Sequence, residues 1–159
     1  PYGSECPNGL AGCGPVAAGQ VMYYHKRPAT MSWAGETFTW DDLPMYYDYI
    51  NHSKHPQLMA MLGQLFQVNY ADSSSTTVSN VVNGLNSIGY VASQDTMNVW
   101  SVKNQLIVYN RPVIMSGTET TTDGGHMWVC EGARELIYDA IQFYTENQPY
   151  GAGDFQRLP

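Results

Sequence analysis

The feature that most constrains the fold is a change of hydrophobic period along the 159-residue chain. Apolar residues recur at helical spacing up to about residue 107, whereas short β-type runs follow. The predicted helices are residues 16 to about 25, 56–68, 78–88 and 100–107. The predicted strands are residues 112–117, 126–132 and, as a strand or hairpin arm, 135–147. Because helices and strands are segregated along the chain, we expect an α+β domain with a helical part followed by an antiparallel sheet part.

Two loops separate these elements. Residues 32–44, SWAGETFTWDDLP, are predicted as an aromatic-rich loop. Residues 69–77, NYADSSSTT, are predicted as a Ser/Thr-rich loop, and Thr76 or Thr77 is predicted to cap the next helix. This second loop either borders a substrate cleft or is an ordinary solvated loop. No repeat or long linker divides the chain, so we expect one domain.

Composition excludes several classes of partner. The formal net charge is −7, and an acidic chain repels phosphate backbones, which argues against nucleic acid. No apolar run reaches the ~18 residues of a membrane span.

Only 13% of residues are charged, which favours an extracellular or periplasmic protein. The 3 cysteines are too few for a dense disulfide framework and lack the spacing of a zinc site, so no metal is expected.

Cys13 stands between two glycines at the start of the first predicted helix. A helix N-terminus carries partial positive charge and unpaired N–H groups, which stabilise a thiolate and a developing oxyanion. Because thiolate is the reactive form of cysteine, this position predicts a nucleophile. Gly14 carries no side chain that would block a substrate, and we expect it to contact one. The alternative is a cysteine packed as a small apolar residue.

A nucleophilic thiol needs a base, and His126 is the candidate. It opens a predicted strand after Gly124 and Gly125, which leave room for close approach and are predicted to contact substrate. His25 lies on the same helix as Cys13, about 18 Å away, which is too far for contact. The alternative for His126 is a structural residue at the start of a strand.

The remaining histidines and cysteines are given no catalytic role. His52 and His55 are expected at the surface. Cys130 shares a strand face with His126 at about 13 Å, too far for a common metal, and is predicted in the core. Cys6 lies in a Pro/Gly-rich lead-in and is expected to be exposed or partly disulfide-bonded.

Two motifs together resemble the streptopain family of bacterial cysteine peptidases, which have a papain-like fold. In that family Gly-Cys opens a helix that continues with Gln, an aliphatic-Met pair, Tyr-His and Pro. A later segment reads Gly-Gly-His, aromatic, Val, Gly. The matching residues here are Gly12, Cys13, Gln20, Val21, Met22, Tyr24, His25, Pro28, Gly124, Gly125, His126, Trp128, Val129 and Gly132. FTWDDLP also resembles a family segment, and the similarity extends over about residues 1–132.

The resemblance implies peptide hydrolysis through an acyl-enzyme, with Cys13 as nucleophile and His126 as general base and acid. It implies protein or peptide substrates, with hydrophobic side chains accepted two residues before the scissile bond. It also implies an endopeptidase secreted by a bacterium or held at its surface, made as a zymogen and inhibited by its own propeptide. A monomer without cofactors is expected.

Two features of the family have no counterpart in this sequence. The family has an Asn-Trp-Gly-Trp strand after the histidine, whereas residues 135–159 contain no tryptophan, and the nearby polar candidates are Asn147 and Asp139. A glutamine precedes the family's Pro-Tyr pair, and this sequence begins at that pair, Pro1-Tyr2. We therefore expect residues 1–159 to form one papain-like peptidase domain that lacks N- and C-terminal pieces of the family domain.

Two alternatives use the same residues. A catalytically impaired papain-like domain would bind peptide or cell-wall ligands without cleaving them, as the missing family features suggest. An amidase or transpeptidase would use the same cysteine and histidine on a different substrate or acceptor. An unreactive Cys13 would favour the first alternative.

Overall fold

The computed structural model describes Cys6 and residues 9–45, 53–118 and 124–134. The strand predicted at residues 135–147 lies outside the described residues, and so do His52, Asp139 and Asn147. In the described part of the chain, no helix has the length and apolar character to cross a membrane.

The helices confirm the sequence prediction. They are α1 (Cys13–His25), α2 (His55–Leu65), α3 (Val78–Ser87) and α4 (Val99–Lys103), which runs into a π-helical turn at Asn104–Val108. Thr77 caps α3 by accepting a hydrogen bond from the N–H of Asn80 at 3.2 Å. Gly89 follows this helix at φ +93°, the conformation that glycine favours after a C-terminus.

The strands form three antiparallel pairs. They are β1 (Thr30–Trp33) with β2 (Glu36–Thr39), β3 (Asn69–Tyr70) with β4 (Ser74–Ser75), and β5 (Val113–Thr118) with β6 (Gly125–Cys130). β5 and β6 are the strands predicted in the last third of the chain. The β3–β4 pair lies in the segment predicted as a Ser/Thr loop.

The loop prediction for residues 32–44 is wrong. This segment forms the end of β1, the turn after it, the whole of β2 and a 3-10 turn at Trp40–Asp42. Met31 pairs with Phe38, and both side chains are buried. The hairpin is therefore held by two core residues, too few to produce a recognisable alternating pattern. Thr39 and Asp42 form a reciprocal capping box at the 3-10 turn.

Helix α1 lies at the centre of the fold, in contact with α2 and with both strands of the β5–β6 hairpin. Its small buried residues allow this approach: a Cβ at Gly19 would lie 2.7 Å from Met59 Cε of α2. Met22, Leu62 and Phe66 are fully buried in the same core. Because α1 is packed on two sides, the position of its first residue is set by tertiary contacts.

The two cysteine predictions outside the site are corrected. Cys6 is 1% exposed and belongs to the core, where its Sγ lies 4.0 Å from Tyr70 Oη. Cys130 is only partly buried, and its thiol lies 3.6 Å from the carbonyl oxygen of Gly132. All 3 cysteines are free thiols.

Candidate active site

Cys13 is the first residue of α1, and its side chain is partly buried against the core. The Val16 N–H bonds to the Gly12 carbonyl oxygen at 3.2 Å, and proline at position 15 has no N–H. The helix therefore leaves the N–H groups of Cys13 and Gly14 without an intrahelical partner. No side chain caps this terminus and no acidic residue lies in its first turn, within the described chain. These amides are positioned for a thiolate or an oxyanion.

The backbone before Cys13 requires glycine. Gly12 has φ +87° and ψ 147°, a combination that side chains disfavour. A Cβ added there would lie 3.2 Å from Ser74 Cβ on β4. Ser74 Oγ donates a hydrogen bond to the Leu10 carbonyl oxygen at 3.4 Å. The Ser/Thr-rich segment thus lies beside the approach to Cys13, and its contact with substrate stays a prediction.

Gly14 is buried, and the space next to its Cα is filled by protein. A Cβ there would lie 2.9 Å from Thr76 Cγ2 and 3.5 Å from Met127 Sδ. Thr76 is fixed by donating a hydrogen bond to the Phe66 carbonyl oxygen at 2.6 Å. Gly14 therefore allows the first turn of α1 to pack closely against two other elements, and its predicted contact with substrate remains untested.

This packing brings the two elements that carry the predicted catalytic residues into contact. Gly14 follows Cys13, Met127 follows His126, and Met127 Sδ lies 3.5 Å from the position of a Cβ on Gly14. Met127 is buried, whereas His126 is exposed on the opposite face of β6, as strand alternation requires. The roles of Cys13 and His126 remain predictions, since the packing concerns their neighbours.

The imidazole of His126 stacks on Trp128. The ring centroids are 6.2 Å apart and the planes differ by 16°, an offset parallel arrangement. The strand partner of His126 on β5 is Gly117. The indole extends over this glycine, where a Cβ would lie 3.2 Å from Trp128 Cη2. The sequence motif identifies Trp128 only as an aromatic position, because the stacking depends on the register of the hairpin.

The other two predicted substrate-binding glycines lie at the start of β6. Gly124 and Gly125 are both exposed, and Gly125 pairs with Thr118 of β5. A Cβ on Gly125 would make only ordinary contacts, 3.7 Å from the Gly117 carbonyl oxygen. Local packing thus gives no reason for glycine at position 125. The contact of Gly124 and Gly125 with substrate stays a prediction.

Two other titratable groups, His25 and Tyr70, have shifted pKa values. His25 is at the far end of α1, where burial and the charges of Arg111 and Arg27 lower its pKa. Burial raises the pKa of Tyr70 to about 12, and the neighbouring Cys6 adds to this shift. Among the described residues, no group of three or more His, Cys, Asp or Glu side chains is arranged to hold a metal.

A polar cavity of about 420 Å³ lies beside the far half of α1. Its lining includes Gln20, Tyr24, Arg111 and Glu131. Tyr24 Oη donates a hydrogen bond to the Asn110 carbonyl oxygen at 2.8 Å, which ties this end of α1 to the segment before β5. The cavity is distinct from the Cys13 region, which lies at the opposite end of the helix.

Comparison with known proteins covers nearly the whole sequence. The sequence profile of the peptidase C10 family matches residues 1–150. A search among curated proteins finds no match. The profile match includes both motifs, at Cys13 and at His126.

The fold is similar to that of the active wild-type interpain A cysteine protease of Prevotella intermedia. The TM-score is 0.62 at 18% sequence identity, over 82% of this chain and 70% of that chain. At this identity the likeness establishes the fold alone, which is the papain-like α+β fold expected from the sequence.

Proposed function

Because the chain belongs to the peptidase C10 family, the streptopain family of cysteine peptidases, we propose that it is an endopeptidase acting through Cys13 and His126. The observation that carries this proposal is the placement of Cys13. Its free thiol begins α1 at an uncapped N-terminus, and the next residue packs against Met127, the neighbour of His126. The contact between α1 and β6 supports a site in which Cys13 is the nucleophile and His126 the base.

The first half of the reaction forms an acyl-enzyme. His126 takes the proton of the Cys13 thiol, and the thiolate sulfur attacks the carbonyl carbon of the scissile peptide bond. The N–H groups of Cys13 and Gly14 stabilise the negative charge on the carbonyl oxygen. The C–N bond then breaks as the imidazolium gives its proton to the leaving amine. The acyl group remains on sulfur as a thioester.

The second half releases the acid product. His126 accepts a proton from water as the water oxygen attacks the thioester carbon. The C–S bond breaks, and the sulfur leaves as thiolate beside an imidazolium, which restores the starting pair. None of these reaction steps requires a metal or a cofactor.

The proposal extends to the setting of the enzyme. We place it outside the bacterial cell or at its surface, as a monomer made as a zymogen whose own propeptide inhibits it. Family membership supports this setting, and so does the low content of charged residues, 13%.

The test is digestion of an unfolded protein, with the new N-termini mapped by mass spectrometry. We expect cuts inside the substrate chain and their loss in Cys13→Ala, by at least about 10³-fold in rate. Cys130→Ala is the matched control, because it removes another partly buried thiol and should retain activity. Equal cleavage by wild type and Cys13→Ala would contradict the proposal. Release of terminal residues alone would contradict the endopeptidase assignment.

A second candidate is a domain that binds peptide or cell-wall ligands without cleaving them. One observation favours it: Met127, and not His126, projects from the face of β6 that contacts Gly14 of α1. Saturable binding of the unfolded substrate by the wild type, with no new N-termini, would favour this candidate.

A further inference from the structure

The register of the β5–β6 hairpin gives His126 an unusual neighbourhood. His126 pairs with Gly117, and Trp128 pairs with Met115. His126 and Trp128 therefore project from the same face of β6, two residues apart. Opposite the histidine there is no side chain, and the indole fills that space diagonally, with a Cβ on Gly117 predicted to fall 3.2 Å from Trp128 Cη2.

The resulting contact is a stack of two rings. The centroids of His126 and Trp128 are 6.2 Å apart with an interplanar angle of 16°, within the range of offset aromatic pairs. Trp128 is 43% exposed, so the indole is not buried in the core. The indole lies beside the imidazole and limits the space into which the imidazole can rotate.

We infer that Trp128 is a positioning residue, which holds the imidazole of His126 by stacking while Gly117 leaves the space for the indole. This inference rests on the proposed function, in which His126 acts as base and acid. The stack limits the side-chain rotamers of His126 and places the electron-rich face of an indole against the cationic imidazolium. Both effects favour the thiolate–imidazolium pair over the neutral pair.

Among the described residues, few other ionisable side chains lie near His126 on the elements that pack against it. On α1 the ionisable group at the near end is Cys13, whereas Tyr23, Tyr24 and His25 lie about 15 Å or more along the helix. β5 carries no ionisable side chain. On β6 the thiol of Cys130 shares the face of His126, and Glu131 and Arg134 follow the strand. Loss of the stack should therefore appear in the pH dependence of Cys13 reactivity.

The experiment compares the wild type with three variants of the full chain. Trp128→Leu removes the ring and keeps apolar bulk, and Trp128→Phe restores a smaller ring. Trp100→Leu is the matched control, because Trp100 is also exposed, at 68%, and lies on α4, away from β6. Iodoacetamide labelling of Cys13 is followed against pH by mass spectrometry. Ring-proton shifts of His126 are measured by NMR in the same proteins.

The expected result is a shifted labelling profile. In Trp128→Leu the acid side of the Cys13 profile should move to higher pH, with labelling near pH 6 slower by about two- to five-fold, the range of an exposed cation–π contact. Trp128→Phe should recover much of the rate, and Trp100→Leu should match the wild type. The His126 ring-proton shifts should change only in the Trp128 variants, as the indole ring current is lost.

Three results would overturn the inference. Fast wild-type labelling of Cys13 with an unchanged profile in Trp128→Leu would reject the role of Trp128 and leave the proposed function intact. Unchanged His126 ring-proton shifts in Trp128→Leu would show that the rings do not stack in solution. Wild-type Cys13 that labels like an ordinary thiol would reject both proposals. Thermal unfolding shows whether each variant is folded. If Trp128→Leu is not folded, Trp128→Phe is compared with the wild type in its place.

Discussion

At Gly12 the backbone adopts φ +87° and ψ 147°, and the next residue is the predicted nucleophile. The sequence has a glycine on each side of Cys13, at the start of the first predicted helix. The physical reasons for the two glycines differ. Gly12 is required by backbone conformation and by Ser74, whereas Gly14 is required by Thr76 and Met127. Neither reason can be read from the sequence, because both depend on residues more than 50 positions away.

Gly12→Ala should lower the free energy of unfolding by about 1–3 kcal/mol and slow the labelling of Cys13. The added Cβ is strained at this φ and lies 3.2 Å from Ser74 Cβ, so the turn before Cys13 must shift. Gly35→Ala is the matched control, since Gly35 has φ +83° and no atom within 4 Å of a new Cβ. Chemical denaturation and labelling rates measure both variants. Equal labelling of Cys13 in the two would show that the contact with Ser74 does not hold the site.

At the scale of elements, the long periodic segments were predictable and the short ones were not. The stripe of α3 and its Thr77 cap follow from local sequence, and the structure confirms both. The β1–β2 hairpin was missed because each strand has four residues and contributes one fully buried side chain, Met31 or Phe38. The π-helical turn after α4 is closed by a bond from the Tyr109 N–H to the Asn104 carbonyl oxygen, a local irregularity without a sequence signal.

The contact between α2 and α3 provides a test of close helix packing. Gly84→Ala should destabilise the fold by about 1–3 kcal/mol, although alanine is the better helix former by about 1 kcal/mol. The reason is crowding, because the new Cβ would lie 2.5 Å from Phe66 Cδ1 and 3.0 Å from the Leu65 carbonyl oxygen. Asn83→Ala, on the exposed side of the same helix, should be neutral or slightly stabilising. Urea unfolding that shows Gly84→Ala as stable as Asn83→Ala would contradict this packing.

At the scale of the whole molecule, the fold class and the family could be predicted from the sequence, while the contacts of the site could not. The order of helices and strands indicated an α+β domain, and the motifs around Cys13 and His126 indicated the family. The adjacency of α1 and β6 required the full fold, because it depends on Gly14 and Met127, 113 positions apart. The orientation of His126 toward Trp128 likewise required the register of the hairpin.

The stability of the fold should fall in mild acid, partly because of His25. Burial, followed by the charges of Arg111 and Arg27, lowers the pKa of His25, so the folded protein binds this proton less readily than the unfolded chain. The contribution of neutral His25 to the free energy of unfolding is therefore present above about pH 6.5 and is lost as the pH falls through the folded-state pKa. His55, expected at the surface, is partly buried, and burial lowers its pKa, which affects stability with the same sign.

Guanidinium unfolding of the wild type and His25→Gln at pH 7.5 and pH 5.5 checks this expectation. The loss of stability between the two pH values should be smaller in His25→Gln. Arg111→Gln should also reduce it, since one of the charges that oppose protonation is removed. If the free energy of unfolding falls as much in His25→Gln as in the wild type, His25 does not contribute to the pH dependence of stability.

The measurement that tests the central claim most directly is the iodoacetamide labelling rate of each cysteine against pH, in the wild type and in His126→Ala. Cys130 is the internal reference, since it is also a partly buried free thiol. The account predicts that Cys13 labels rapidly below about pH 7, much faster than Cys130, and that His126→Ala removes this advantage. Labelling of Cys13 that rises only as for an ordinary thiol of pKa near 8.5, and that does not respond to His126→Ala, would contradict the account.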